Sequence, residues 1–177
     1  ESKKKDIYPL GENFSGKSPA GESVDFTNYY LRKNGRPMFG ISGEFHFSRC
    51  REECWEDELE KMRLCGINII ATYTFWNHHE EKEGEFCFEG RRNLRRFITL
   101  CQEKGFYVIV RIGPFVHGEV RNGGLPDWLY GKPFEVRENN EGFLSCTRRL
   151  YRKLAEQLSG LFYQEGGPVI GVQIDNE

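Results

Sequence analysis

Residues 1–22 are polar and rich in Gly and Ser, a pattern that predicts an arm with no packed face. From residue 26 apolar positions begin to recur. Residues 26–33 read as a strand, Asn34-Gly35 is a strong two-residue hairpin signal, and residues 38–47 read as the return strand. Gly40 and Gly43 within that return strand suggest close backbone approach. The period then changes. Trp55, Leu59 and Met62 lie at helical spacing in residues 52–65, and Gly66 stops the helix. Residues 68–76 form an apolar run that predicts a buried strand. Leu94, Phe97, Ile98 and Cys101 make a second helical stripe ending at Gly105, and residues 106–112 make a third buried strand. A long loop over roughly 113–140 holds Gly123-Gly124-Leu125-Pro126-Asp127-Trp128 and is expected to be ordered by its Trp and Pro. Leu150, Leu154, Leu158, Leu161 and Phe162 mark a long amphipathic helix, and the β-branched run of residues 169–174 marks a fourth strand.

Strands near 39–47, 68–76, 106–112 and 169–174 alternate with helices, which predicts right-handed βαβ units and a parallel sheet. The fold class is therefore α/β. A doubly wound sheet fits this order, and so does the first half of a (β/α)8 TIM barrel preceded by a β-hairpin. The expected organisation is a polar arm over 1–22 and one barrel-half domain over 23–177, stopping after the fourth strand. No G-x-G-x-x-G follows a strand and no phosphate-binding P-loop pattern occurs, which argues against nucleotide binding.

Composition narrows the partners. Charged residues make up 29% of the 177 residues and the net charge is −2, so no strong field favours nucleic acid. No apolar run approaches the length of a membrane span, and the start of the chain carries no hydrophobic segment of a signal peptide; neither membrane nor nucleic acid is an expected partner. The six cysteines are irregularly spaced, with no C-x-x-C pair, which fits neither a disulfide framework nor a zinc site. A reducing compartment, the cytoplasm, is the expectation, with a secreted or periplasmic protein whose signal peptide has been removed as the alternative. Aromatics at 14% suit either a site that stacks sugar faces or a plain aromatic core.

Every strand runs into polar or aromatic residues at its C-terminal end. The first leads to Glu44, His46 and Arg49; the second to Tyr73, Trp76, Asn77, His79 and Glu80; the third to His117 and Glu119; the fourth to Asn176 and Glu177. The C-terminal ends of parallel strands are where ligands bind in such folds. Taken singly, these residues have simpler readings. His46 and Arg49 suit a hydrogen-bonded pair beneath a site, and Arg111 suits a guanidinium paired with a carboxylate. His78-His79-Glu80 lacks a partner His at helical spacing, so neither a metal nor a cofactor is expected. Carboxylates at strand ends suggest glycoside hydrolysis. That chemistry needs one carboxylic acid to protonate the leaving oxygen and a second carboxylate, about 5–5.5 Å away in retaining enzymes, to attack the anomeric carbon. A Glu acting as the acid near neutrality needs a raised pKa, which a partly apolar pocket supplies.

Five segments in order resemble the β-galactosidases of glycoside hydrolase family 35. They are Phe45-His46-Phe47-Ser48-Arg49, Thr72-Tyr73-Thr74-Phe75-Trp76-Asn77-His78-His79-Glu80, Arg111-Ile112-Gly113-Pro114-Phe115, Gly123-Gly124-Leu125-Pro126-Asp127-Trp128-Leu129, and the stretch from Gly166-Gly167-Pro168-Val169-Ile170 to Asn176-Glu177. The resemblance implies a retaining (β/α)8 glycosidase that removes terminal non-reducing β-galactosyl residues. It implies Glu177 as the acid/base at the end of the fourth strand, Asn176 as its sugar-binding neighbour, Tyr73 as a galactose contact, Glu119 as a ligand for the sugar hydroxyls, and Gly118 as pocket-lining backbone. The family's nucleophile is a Glu at the end of a seventh strand, which four strands do not reach. Two departures stand out. Val116-His117-Gly118-Glu119-Val120 replaces a pattern with Cys-Ala before the Glu and Trp after it, and Asp175 stands where a Glu is usual.

With four strands alone, the expectations are an inactive chain and open edges at the first and fourth strands. Those edges would pair with a C-terminal half of the barrel or with a second copy. The competing readings are another retaining barrel glycosidase, of β-glucosidase, β-xylosidase or arabinosidase type, and a non-catalytic carbohydrate-binding or self-associating fragment.

Overall fold

The computed structural model describes residues 4–176, so Glu177 lies outside the described residues. Within that range there are two four-stranded sheets. The first is antiparallel and is built from β1 (Ser15–Lys17), β2 (Ser23–Phe26), β3 (Leu31–Lys33) and β4 (Arg36–Met38) in sequential order. The second is parallel, with β5 (Ser42–Glu44), β6 (Ile69–Tyr73), β7 (Tyr107–Gly113) and β8 (Val169–Ile174), again in sequential order. Between these strands run α1 (Trp55–Leu64), the single turn α2 (Trp76–His79), α3 (Leu94–Glu103) and α4 (Glu141–Leu158).

The expectations about the N-terminal part are corrected. The polar stretch 1–22 is not an arm throughout, because Ser15–Lys17 pairs with Ser23–Phe26 as β1. Its residues alternate between exposed and half-buried, so the strand carries no apolar stripe to announce it. The predicted return strand of residues 38–47 is two strands in different sheets. Asn34-Gly35 does turn the β3–β4 hairpin, with Lys33 opposite Arg36, but the chain leaves that sheet after Met38 and starts the parallel sheet at Ser42. The predicted strand at 26–33 is likewise broken, by a turn in which the Thr27 hydroxyl accepts from the backbone N–H groups of Tyr29 and Tyr30.

The parallel sheet decides between the two α/β layouts. Its register sets Gly43 beside Ile70, Ile70 beside Val108 and Thr72 beside Val110 on one face, and all the long helices cover that face. Trp55 and Leu59 of α1, Phe97 and Ile98 of α3, and Phe143, Leu150 and Leu154 of α4 share one buried cluster with Ile70, Val108 and Val110. Gly43 belongs to this contact, since a Cβ there would fall 2.5 Å from the Met62 side chain. A doubly wound sheet reverses its strand order and places helices on both faces. Sequential order with helices on one face is the curl of a half barrel, and the opposite face is the barrel's inner wall. Alternation along the strands puts Ser42, Glu44, Ile69, Ala71, Tyr73, Ile109, Arg111, Gly171 and Gln173 on that wall.

The loop of residues 113–140 is ordered by short 3-10 turns and by side-chain anchors. Trp128 Nε1 donates to the Glu80 carbonyl at 3.0 Å, and Asn122 Nδ2 to Asp127 at 2.7 Å. Helix α4 begins at Glu141, well before Leu150 opens the predicted apolar stripe, because Asn140 caps it by accepting from the Phe143 N–H at 2.9 Å. No helix among the described residues is long and apolar enough to cross a membrane.

Candidate active site

The inner wall ends in a charged and aromatic cluster at the C-terminal mouth of the strands. Tyr73, the last residue of β6, is buried, and the Arg111 guanidinium lies 3.8 Å from its ring centre. Arg111 also pairs with Glu44 from β5 and donates to Asn176 Oδ1 at 2.8 Å. One guanidinium thus bridges the ends of the first, second and fourth strands from its place on the third. The Arg111 Nε is buried with no hydrogen-bond partner among the described residues. Burial pushes the Tyr73 phenol above its ordinary pKa; Arg111 opposes that shift, while Glu44 and Glu119 reinforce it.

Gly118 and Glu119 reach the cluster from the loop after β7. His117, Gly118 and Glu119 are all left-handed, with φ of 60°, 54° and 46°. Such backbone is unfavourable for His and Glu and persists only where surrounding contacts impose it. Two contacts do so here. Arg49 Nη1 donates to the Gly118 carbonyl at 3.0 Å, and Gly118 sits so close to Phe75 that a Cβ would fall 2.7 Å from its ring. The same Cβ would lie 3.5 Å from Tyr73, which places this turn directly against the tyrosine. Glu119 itself is exposed.

The structure therefore brings Tyr73, Gly118, Glu119 and Asn176 into one mouth. Glu177 follows Asn176 in sequence and lies outside the described residues. A cleft of about 480 Å³ lined by Glu44, His46, Arg49 and Glu58 adjoins this mouth. A larger cavity, about 540 Å³, lies between the antiparallel sheet and β8, but among the described residues no Asp, Glu, His, Lys or Arg lines it, so chemistry rather than volume selects the mouth. His46 and Arg49 do form a contact, 3.3 Å between Nδ1 and Nη1. His46 Nε2 lies 3.4 Å from Glu44, near enough for attraction but not for a hydrogen bond.

His79 and Glu80 point elsewhere. Both are fully buried behind α2. Glu80 accepts from Trp76 Nε1 at 2.6 Å, from the Gly84 N–H at 2.7 Å and from Arg149 at 2.8 Å. His79 stacks between Phe47 and Phe88, with Nδ1 3.1 Å from the Cys87 carbonyl. His78 contacts the Ser48 hydroxyl at 2.9 Å. Among the described residues no group of three His, Cys, Asp or Glu side chains gathers as a metal ion would require.

Sequence reasoning missed Arg137. It lies in the polar loop with φ of 60°, yet its guanidinium sits 3.9 Å from the centre of the Phe115 ring and donates to the Asn176 carbonyl at 3.1 Å. No periodicity or turn motif marks it, and only the fold brings it 39 residues along the chain to the end of β8. Glu44 reads from sequence only as a strand-end residue; its pairing with Arg111 follows from the parallel register.

Four parallel strands in sequential order with the long helices on one face, and carboxylate, tyrosine and amide side chains at the strand mouths, define one half of an α/β barrel. Solved structures of that architecture are similar to this chain. A β-galactosidase from the psychrophilic Marinomonas ef1 superposes with a TM-score of 0.59 at 19% identity, covering 78% of this chain and 22% of the other. An exo-β-1,4-mannosidase from an Opitutaceae bacterium superposes with a TM-score of 0.61 at 15% identity, covering 95% of this chain and 27% of the other. The particular family comes from the sequence. The pattern of the glycosyl hydrolases family 35 matches residues 30–177, and the chain belongs to that family. Among curated relatives, Beta-galactosidase 14 of Arabidopsis thaliana is 41% identical over 91% of this chain and 18% of its own length. The Beta-galactosidase of Canis lupus familiaris is 37% identical over 88% of this chain and 23% of its own length. The chain thus spans about a fifth of the length of these relatives.

Proposed function

We propose that these residues form the acid-bearing side of a retaining β-galactosidase site. The observation that carries the reading is the gathering of Tyr73 and Asn176 around Arg111, with Glu119 near enough to Tyr73 to act on its phenol, at the strand mouths of a family 35 chain. Glu177 is the general acid/base in this reading. It protonates the glycosidic oxygen as the bond to the anomeric carbon breaks, then takes a proton from the water that releases the sugar. Asn176, held by Arg111, presents its amide to a ring hydroxyl. Tyr73 and Glu119 bind the remaining hydroxyls, and the Gly118 turn lines the pocket with backbone where a side chain would strike Phe75. The nucleophilic carboxylate belongs to a seventh strand of a complete barrel, and the sheet edges at β5 and β8 are where further strands would pair.

The test is a panel of nitrophenyl glycosides on the full-length protein. The reading expects kcat/KM for the β-galactoside to exceed that for the β-glucoside, β-xyloside and α-arabinoside by roughly 10-fold or more, the scale of losing one or two hydroxyl contacts. A preference for any of the other glycosides contradicts it and favours a different retaining barrel glycosidase. The absence of turnover with every glycoside favours a non-catalytic carbohydrate-binding role.

A further inference from the structure

Asn176 is held from two sides by two different arginines. From the inner wall, Arg111 Nη2 donates to its side-chain oxygen at 2.8 Å. From the loop before α4, Arg137 Nη2 donates to its main-chain carbonyl at 3.1 Å. That carbonyl belongs to the peptide unit that joins Asn176 to residue 177, so a hydrogen bond to it fixes the plane from which the next side chain departs. The surroundings of Arg137 are built for this contact. Its guanidinium packs on the Phe115 ring, 3.9 Å from the centre, and lies 3.5 Å from the Asp175 carboxylate. Asp175 accepts from the Phe115 N–H at 3.0 Å, and its own N–H donates to the Gly113 carbonyl at 2.7 Å. Phe115, Asp175 and Arg137 therefore brace one another. Both Asp175 and Arg137 hold left-handed backbone, with φ of 53° and 60°, which marks a segment whose conformation is imposed by contacts rather than by local preference.

We propose that Arg137 is a positioning residue for acid catalysis. It clamps the peptide unit at the end of β8 so that the carboxyl of Glu177 is delivered to the glycosidic oxygen. The inference rests on the galactosidase reading above. Arg137 acts in this account through the main-chain carbonyl of Asn176. A planar, stacked guanidinium suits the task better than an ammonium, because stacking on Phe115 fixes the direction of the donated hydrogen bond.

The test compares kcat/KM for two galactosides in the full-length protein, one with an activated dinitrophenolate leaving group and one with an unactivated alkyl leaving group. This parameter reports departure of the leaving group, the step that needs the acid. Arg137→Gln is expected to slow the alkyl galactoside by about 10- to 100-fold, the scale set by a misplaced catalytic group, and the dinitrophenyl galactoside by less than about 3-fold. Arg137→Lys should fall between the variant and the wild type. Phe115→Leu, which removes the ring beneath the guanidinium, should show the same asymmetry at smaller size and serves if Arg137→Gln does not fold. Equal slowing of both substrates, or slowing of neither, overturns the inference while leaving the galactosidase reading intact. A wild-type protein inert toward both galactosides overturns that reading, and this inference with it.

Discussion

Two corners of the molecule carry a glutamate just beyond a strand, and they are built in opposite ways. At the α2 corner, Glu80 is fully buried and accepts from Trp76, Gly84 and Arg149. At the mouth, Glu119 is exposed on a left-handed turn that Arg49 and Phe75 hold in place. A fully buried carboxylate with both oxygens engaged by protein donors is closed to a ligand, whereas one displayed on an imposed backbone is open to it. Strand-end position alone does not separate the two.

The largest expected effect is on stability at the buried corner. Glu80→Ala leaves the fully buried Trp76 indole without its acceptor and removes the Gly84 and Arg149 contacts, and should cost about 3 kcal/mol. Thermal melting of the variant against wild type checks it; a change below about 1 kcal/mol would erase the contrast between the corners. A similar size attaches to His79. Burial pushes its imidazole pKa down to about 4, with His78 and Arg92 adding to the shift. The unfolded chain takes up that proton near pH 6.5 and the folded chain does not until about pH 4. The contribution of His79 is therefore fully present above pH 6.5 and is lost as pH falls toward 4, by about 3 kcal/mol. Urea unfolding of wild type and His79→Phe across that range should show a shallower acid slope in the variant. Parallel slopes would mean that His79 is not held neutral.

Smaller effects belong to the mouth. Gly118→Ala combines a left-handed backbone with a Cβ 2.7 Å from Phe75, and should cost about 2 kcal/mol while disturbing the turn that carries Glu119. Unchanged melting and unchanged activity together would show the turn to be slack.

Three of the four parallel strands and the three long helices were legible because each has an apolar run or period and, for several, a glycine stop, such as Gly66 and Gly105 with φ of 86° and 81°; the remaining strand, β5, is the short Ser42–Glu44 and was read as part of a longer hairpin strand. The antiparallel sheet was less so. Ser15–Lys17 is a short polar strand, and the break between β4 and β5 has no marker stronger than Gly40. At the mouth, Tyr73, Glu119 and Asn176 could be read as strand-end residues, but only the family resemblance singled them out and added Gly118, since no local pattern separates Glu119 from Glu80. Arg111 could be read as a paired guanidinium, but its role as a bridge between strand ends depends on the parallel register. Arg137 was illegible because its contacts lie across the fold, in a loop without periodicity.

The mouth, and not the buried corner, is the part of the molecule expected to meet the sugar. Glu119→Gln tests this most directly, measured as kcat/KM for a nitrophenyl β-galactoside in the full-length protein with melting as the control. The expected result is a loss of roughly 10- to 100-fold, the scale of one hydrogen bond to a charged acceptor, with melting unchanged within about 0.5 kcal/mol. Unchanged kcat/KM, or a loss that merely follows a drop in stability, would contradict it.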